Sequence, residues 1–339
     1  MRERTIPESD SLMLLKEKMQ AADGRPSGFD YMRLILALFV LIGHSVDIVY
    51  GFYFGYGFWS SWYRAFFAMV LPMFFALSGF LVAGSLFRSK TLFSFLGLRV
   101  LRIVPALAFE TVLCAFILGP VFTTLSLPEY FSGNLFRRYF LNIIGDPQFF
   151  LPGVFASNPI PTLVNLQLWT VPWEFGTYIL VMVMSLVGIF RSRIYLIVFV
   201  LAFNIAFLAR TRYEFAGFAA NGVVLVESCL AAVVLFAFSD KLRHDWRLFV
   251  LSAMATFALF FTHEDYLAPF PLAYMTVYLG LLNPRRSKIV LSGDYSYGIY
   301  LYGFPIQQTV AHLGLSHGNW YLPRRSGFCH PGGRTRKPA

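Results

Sequence analysis

The sequence predicts an all-α protein, a polytopic bundle of about nine transmembrane helices with a cytoplasmic N-terminus. Three observations carry this reading. First, 57% of the 339 residues are hydrophobic and only 14% are charged, against about 25% charged in soluble domains. So few charges do not clothe a soluble surface, and the mean hydropathy is +0.60. Second, the apolar residues come in long blocks, and a run of about 18 or more reads as a membrane-crossing helix. A barrel would show short alternating strands instead. Third, the basic residues fall in short clusters between the blocks.

The elements follow in order. Residues 1–28 form a polar tail with five basic residues. This stretch has no apolar signal-peptide core, so the first apolar segment is expected to direct insertion. The transmembrane domain, 29–312, holds apolar segments near 31–50, 63–86, 101–124, 167–189, 194–209, 217–238, 247–263, 266–283 and 290–312. The stretch 125–166 is the longest connection and is rich in Pro, Gly and Asn, which break helices. Residues 313–339 switch abruptly to Pro, Arg, Gly, Cys and His. That tail reads either as a solvated end or as the replacement of a lost last helix, for instance by a reading-frame change.

With the N-terminus inside, 18 of the 28 Lys and Arg fall in inside segments. Five lie in outer loops, at Arg64, Arg137, Arg138, Arg210 and Arg212, and five follow residue 320. This bias is the positive-inside pattern. It explains the net charge of +10 as topology, so no nucleic-acid partner is expected. Cys114 and Cys229 sit in apolar segments, and with Cys329 the total is odd, so no disulfide framework is implied. No metal-ligand spacing occurs, and no metal is expected.

Ionisable residues inside membrane helices are expensive and need a partner or a wet cavity. In "DYMRLILALFVLIGHS", Arg33 and His44 are eleven residues apart, close to three full turns, so both point to one face. Asp47 lies three residues beyond His44, within reach on that face. The alternative is that His44 bonds a neighbouring helix and Asp47 is interfacial. "LRVLRIVPAL" presents Arg99 and Arg102 on one face of a helix expected to start near residue 101, with Pro105 in its first turn. Two guanidiniums on one face suit a phosphate, and ordinary cytoplasmic anchoring is the other reading. In "LWTVPWEFGTY", Glu174 is expected at the depth of His44, either lining a shared polar cavity or neutral and hydrogen-bonded between helices. The small residues of "ALSGFLVAGS" read as helix packing. Glu110 and Glu227 receive no role, and His263, Glu264 and Asp265 read as a solvated outer turn.

Together and in this order, these stretches resemble the acyltransferase-3 family of integral membrane acyltransferases, over about residues 28–312. The landmarks are Arg33 and His44 with ten residues between them, "FFALSGFL", "RVLRIVP", "LWTVPWEF" with Glu174, and "SGDYSYGIYLYGFPIQQ". Two departures stand out. Many members carry a histidine where this chain has Gly303. The family usually has ten helices and a late Ser-Tyr…Glu-Pro-like segment, which is absent here.

The resemblance implies transfer of an acyl group, usually acetyl, from cytoplasmic acyl-coenzyme A to a hydroxyl of an envelope or exported carbohydrate. It implies a multi-pass protein of the bacterial inner membrane whose partners are acyl-coenzyme A, a carbohydrate or glycolipid acceptor and the lipid bilayer, with no tightly bound cofactor. His44 is the expected general base, since histidine titrates near neutrality. Asp47 would orient it, and Glu174 would orient it, bind sugar hydroxyls or line the acyl path. Arg33, Arg99 and Arg102 would hold the coenzyme's phosphates. Tyr297 and Tyr300 are the expected substrate-binding residues, with Tyr297 or an arginine as oxyanion donor. Two rivals are a glycolipid transporter or flippase, which inverted repeats would favour, and a truncated non-catalytic relative. No repeat is visible in the sequence.

Overall fold

A computed structural model describes residues 13–214, 218–288, 293 and 295–315. Among these residues the regular structure is helical, with isolated bridges and no strand. Residues 1–12 of the polar tail, residue 217, residues 290–292 and 294 of the last apolar segment, and the tail beyond residue 315 lie outside the described residues.

The chain opens with a short helix, α1 (Leu15–Ala21), too short to persist alone. It is tied down by Leu15 N–H to the Leu242 carbonyl and Lys16 N–H to the Ser239 carbonyl, both 2.9 Å, and by the fully buried Leu15 side chain. Next comes α2 (Ser27–Trp59), which breaks at Gly51, where φ is 80° and ψ is 166°. A left-handed φ of this kind favours glycine. Then α3 (Arg64–Ala68) runs almost directly into α4 (Val70–Arg88).

The next helix differs from expectation at its start. It begins at residue 92, not near 101, as α5 (Leu92–Leu113). Thr91 caps it, its hydroxyl oxygen accepting from Ser94 N–H at 3.1 Å, and such a cap fixes a helix start. Pro105 is therefore inside the helix and not in its first turn. Arg99 and Arg102 move with it, about 10 Å and more along the axis. A π-helical turn, Cys114–Leu118, carries α5 into α6 (Gly119–Phe122).

The long connection holds α7 (Leu127–Ser132) and α8 (Asn134–Tyr139). It then folds inward. Asn158, Asn165 and Gln167 are buried. Asn158 Nδ2 donates to the Gln308 side chain at 2.7 Å, and Gln308 Nε2 donates to the carbonyls of Ile160 and Leu163. These bonds satisfy loop carbonyls that would be orphaned in a membrane. After a 3₁₀ turn, Leu166–Thr170, follow α9 (Val171–Leu186), α10 (Arg193–Glu214), α11 (Phe218–Ala237), α12 (Trp246–Phe261), α13 (Pro269–Gly280) and α14 (Ser296–His312).

Among the described residues, three continuous stretches are long and apolar enough to cross a membrane: Ser27–Gly51, Arg64–Arg88 and Leu92–Phe122. Shorter apolar helices span Arg193–Ala206, Gly222–Ala237 and Trp246–Phe261. The outward faces carry large apolar side chains, among them Phe93 (90% exposed), Leu101 (69%) and Ile194 (69%). An apolar exterior of this extent is what lipid contact requires.

The centre of the bundle is the pair α4 and α11. A Cβ at Gly79 would sit 2.3 Å from the Cys229 carbonyl oxygen, so only glycine permits this approach. Lipid tails are as apolar as side chains, so close backbone packing is what holds such helices together. One buried cluster fills the space between α2, α4, α12 and α13, and a second fills that between α4, α5, α9, α10 and α14. At the turn 263–265, expected to be solvated, His263 is exposed whereas Asp265 is engaged. Asp265 accepts hydrogen bonds from Arg64, whose Nη1 also donates to the Phe260 carbonyl at 2.8 Å. The arginine thereby caps the end of α12.

Candidate active site

A cavity of about 90 Å³ opens among α2, α4, α5, α9 and α14. Five residues expected in the site line it: Arg33 from α2, Arg102 from α5, Glu174 from α9, and Tyr297 and Tyr300 from α14. Phe74 and Phe75 of α4 form an apolar wall. Ser78 and Thr170 add hydroxyls, and neither was singled out for chemistry in the sequence. Ser78 had read only as a small packing residue, because a serine in a small-residue stripe gives no further signal.

Glu174 is held in place. Tyr178 Oη donates to Glu174 Oε1 at 2.6 Å, and Ser78 Oγ lies 3.4 Å from Tyr178 Oη. Arg99 does not line the cavity. Its guanidinium lies over the rings of Phe95 and Tyr178, at 5.7 and 5.8 Å from their centroids. Arg99 thus backs the tyrosine that bonds Glu174, while Arg102 enters the cavity itself.

The tyrosines on α14 are also fixed. Tyr300 Oη donates to the Gln167 carbonyl at 2.6 Å, so Thr170 Oγ1, at 2.5 Å, donates to it in turn. Tyr297 Oη donates to the Ile103 carbonyl at 3.3 Å. The 3₁₀ turn that carries Thr170 is anchored by a backbone defect in α14. Pro305 lacks an N–H, so the carbonyl four residues earlier, at Leu301, loses its helical partner. Gln167 Nε2 supplies it at 2.7 Å. A glutamine two residues after a buried asparagine, facing a proline-bearing helix, was the available sequence signal for this anchor.

His44 and Asp47 lie elsewhere. His44 is eleven residues beyond Arg33, about 16 Å further along α2, and neither His44 nor Asp47 lines the cavity. The imidazole meets the Phe304 ring edge-on, with centroids 5.2 Å apart. Asp47 accepts from Trp59 Nε1 at 3.2 Å to each oxygen. On the next turn Gln307 Nε2 bonds Ser45 Oγ and the Leu41 carbonyl, which clamps α14 onto α2. Gly303 permits that contact, since a Cβ there would sit 2.7 Å from Leu41 Cδ1.

The expectation that Glu174 shares the depth of His44 is corrected. Glu174 lines the cavity that Arg33 reaches, because the connection before α9 folds into the bundle and α9 starts deep. Glu110 and Glu227 are buried outside the cavity. Glu110 Oε1 accepts from Cys114 and Asn165, both 3.2 Å, and Glu227 Oε1 accepts from Asn204 at 3.0 Å.

The arrangement combines cations and hydroxyls in one apolar-walled cavity with a histidine three turns further along the same helix. The sequence profile of the acyltransferase domain matches residues 27–329. An O-acetyl transferase from Shigella phage Sf6 is 26% identical over 347 aligned positions, covering 87% of this chain and 93% of that protein. No solved structure matches. With its profile match spanning most of its length, the chain belongs to the acyltransferase-3 family and is an acyltransferase.

Proposed function

We propose that this chain is a multi-pass O-acetyltransferase of a bacterial inner membrane. It moves an acetyl group from cytoplasmic acetyl-coenzyme A to a hydroxyl of a cell-envelope or exported carbohydrate. The observation that carries the reading is the gathering of Arg33, Arg102, Glu174, Tyr297 and Tyr300 around one cavity in a chain of this family. The phage relative's name supports the O-acetyl specificity, and the excess of basic residues between alternate apolar segments supports a cytoplasmic N-terminus.

The donor's pyrophosphate pairs with Arg33 and Arg102, since guanidinium matches phosphate geometry. Arg99 supports them through Tyr178 and Glu174. The extended pantetheine arm follows α2, so the thioester arrives near His44, roughly 16 Å on. There the acceptor oxygen attacks the thioester carbon and His44 takes the hydroxyl proton. The tetrahedral intermediate collapses, the C–S bond breaks, and the imidazolium returns the proton to the departing thiolate. The products are the acetyl ester and coenzyme A. Asp47 acts from the outer end of the same helix, steadying the region through Trp59. Glu174, Tyr297 and Tyr300 line the donor path.

The test uses membranes from a host lacking related enzymes, labelled acetyl-coenzyme A and extracted envelope carbohydrate. Label enters carbohydrate with the intact chain and not with His44→Ala, although both insert. Equal labelling by the two proteins removes His44 from the chemistry. No labelling by the intact chain with any envelope fraction removes the reading itself.

A further inference from the structure

A second cavity, of about 620 Å³, lies where α1, the last turns of α4, the start of α10 and the end of α11 meet. Its size falls within the range of about 300–1,000 Å³ usual for small-molecule sites. The acid–base groups facing it come from every wall. α1 and the residues after it give Lys16 and Asp23, α4 gives Arg88, and Arg193 and Asp240 come from the opposite side. Arg193 Nη2 donates to both Asp240 oxygens at 2.7 Å, so that pair is internally neutral. Lys16 and Arg88 then outnumber Asp23, and the cavity is net cationic.

Four phenylalanines, Phe80, Phe87, Phe190 and Phe236, share the wall. Phe87 is stacked with Phe236 (centroids 5.9 Å apart, planes at 13°) and meets Phe190 edge-on, while Phe80 meets Phe236 edge-on. Gly84 leaves room beside them for the Arg88 guanidinium, since a Cβ there would lie 3.2 Å from Arg88 Nη1 and 3.1 Å from the Phe236 ring. A flat cation and phenyl faces at one site suit a ligand with a planar ring next to a phosphate. Leu77, which lines the central cavity, and Arg88 stand eleven residues apart, about three turns on one face of α4. From Ser78 to Arg88 the axis of α4 covers about 15 Å.

We infer that this cavity holds the nucleotide end of the acyl donor, its adenine against the Phe87–Phe236 pair and its ribose phosphate on Arg88 and Lys16. The inference rests on the acyl-coenzyme A reading above. It orders the donor along the bundle: adenosine in the α1 cavity, pyrophosphate at Arg33 and Arg102, thioester near His44. It also gives α1 a task. That helix is pinned by backbone bonds to the α11–α12 turn and forms the wall that closes the nucleotide cavity.

The experiment is protection of a reporter thiol in the full chain. Gln20→Cys, with Cys329→Ser to remove the tail thiol, is alkylated by a maleimide in detergent, with or without adenosine 3′,5′-bisphosphate. A parallel arm uses phosphatidylglycerol micelles, because a lipid headgroup offers the same phosphate. Ser192→Cys is a second reporter on the opposite wall. The bisphosphate slows alkylation at both positions, and Arg88→Ala raises the concentration needed by about tenfold. Protection by phosphatidylglycerol alone, protection by neither, or equal protection in Arg88→Ala overturns the inference. Protection without acetyl transfer by the intact chain leaves the nucleotide site standing and defeats the transfer reading. Transfer without protection defeats only the nucleotide site.

Discussion

Two stations on one helix meet very different surroundings. Arg33 opens into a cavity to which four other helices contribute, where Glu174 and two tyrosines beside Arg102 are already bonded in place. Three turns further on, His44 meets the edge of Phe304 at an interface between α2 and α14. Under the proposed mechanism, the difference follows from the work each end does. Holding an anion requires several cations fixed before it arrives, since ordering them afterwards would consume the binding energy. Moving one proton requires one titratable group and little water. An aromatic neighbour supplies that dryness without competing for the proton.

The largest way to break the comparison is at the histidine. His44→Ala is expected to lower acetyl transfer by about 10²–10⁴-fold, the usual contribution of a general base, with insertion intact. A residual rate within a few-fold of the intact chain would mean that the base lies at the arginine end. Arg102→Ala should act differently, raising the donor KM by about tenfold while kcat changes little, as loss of uniform binding does. A fall in kcat at unchanged KM would make Arg102 an oxyanion donor instead.

Smaller effects test the frame. Gly79→Ala places a Cβ against a backbone carbonyl and should cost about 1–3 kcal/mol of stability, read as thermal unfolding in detergent. Gly303→Ala meets only the mobile end of Leu41, and its shift should be smaller; the opposite order would mean that α2–α14 packing is the tighter joint. Gln167→Leu leaves the Leu301 carbonyl unsatisfied and should cost about 1–3 kcal/mol. It should also loosen Thr170 and Tyr300, so activity should fall with stability. The least effect concerns pH. Arg193 holds the Asp240 carboxyl below its ordinary range by hydrogen bonding. The contribution of the pair is therefore present above the ordinary carboxylate range and is lost as pH falls through the depressed value. Asp240→Asn should flatten that acid limb of the unfolding curve.

Much of this was legible in the sequence. Long apolar blocks announced the helices, and the opening stretch put Arg33 and His44 on a single helix. The cavity's arginines and glutamate were legible as types that are costly in a membrane without partners, whereas Tyr297 and Tyr300 entered through the family resemblance. What escaped depended on contacts between distant segments. The start of α5 at residue 92 turned on one threonine cap, which outweighed the apolar pattern that appeared to begin near 101. The depth of Glu174 turned on a polar connection folding into the bundle, held by Gln308 and Asn158 across about 150 residues of chain. Asp47 pairs with Trp59 because α2 runs on past Gly51 to bring the indole back over it. Local spacing had offered only His44.

The most direct measurement is the initial rate of acetyl transfer over a wide range of acetyl-coenzyme A, for Arg33→Ala and His44→Ala side by side. The account predicts that Arg33→Ala recovers towards the intact rate as donor is raised, whereas His44→Ala stays low at every concentration. Recovery of His44→Ala at high donor, or a defect in Arg33→Ala that donor does not relieve, would contradict the division of α2 into a binding end and a chemical end.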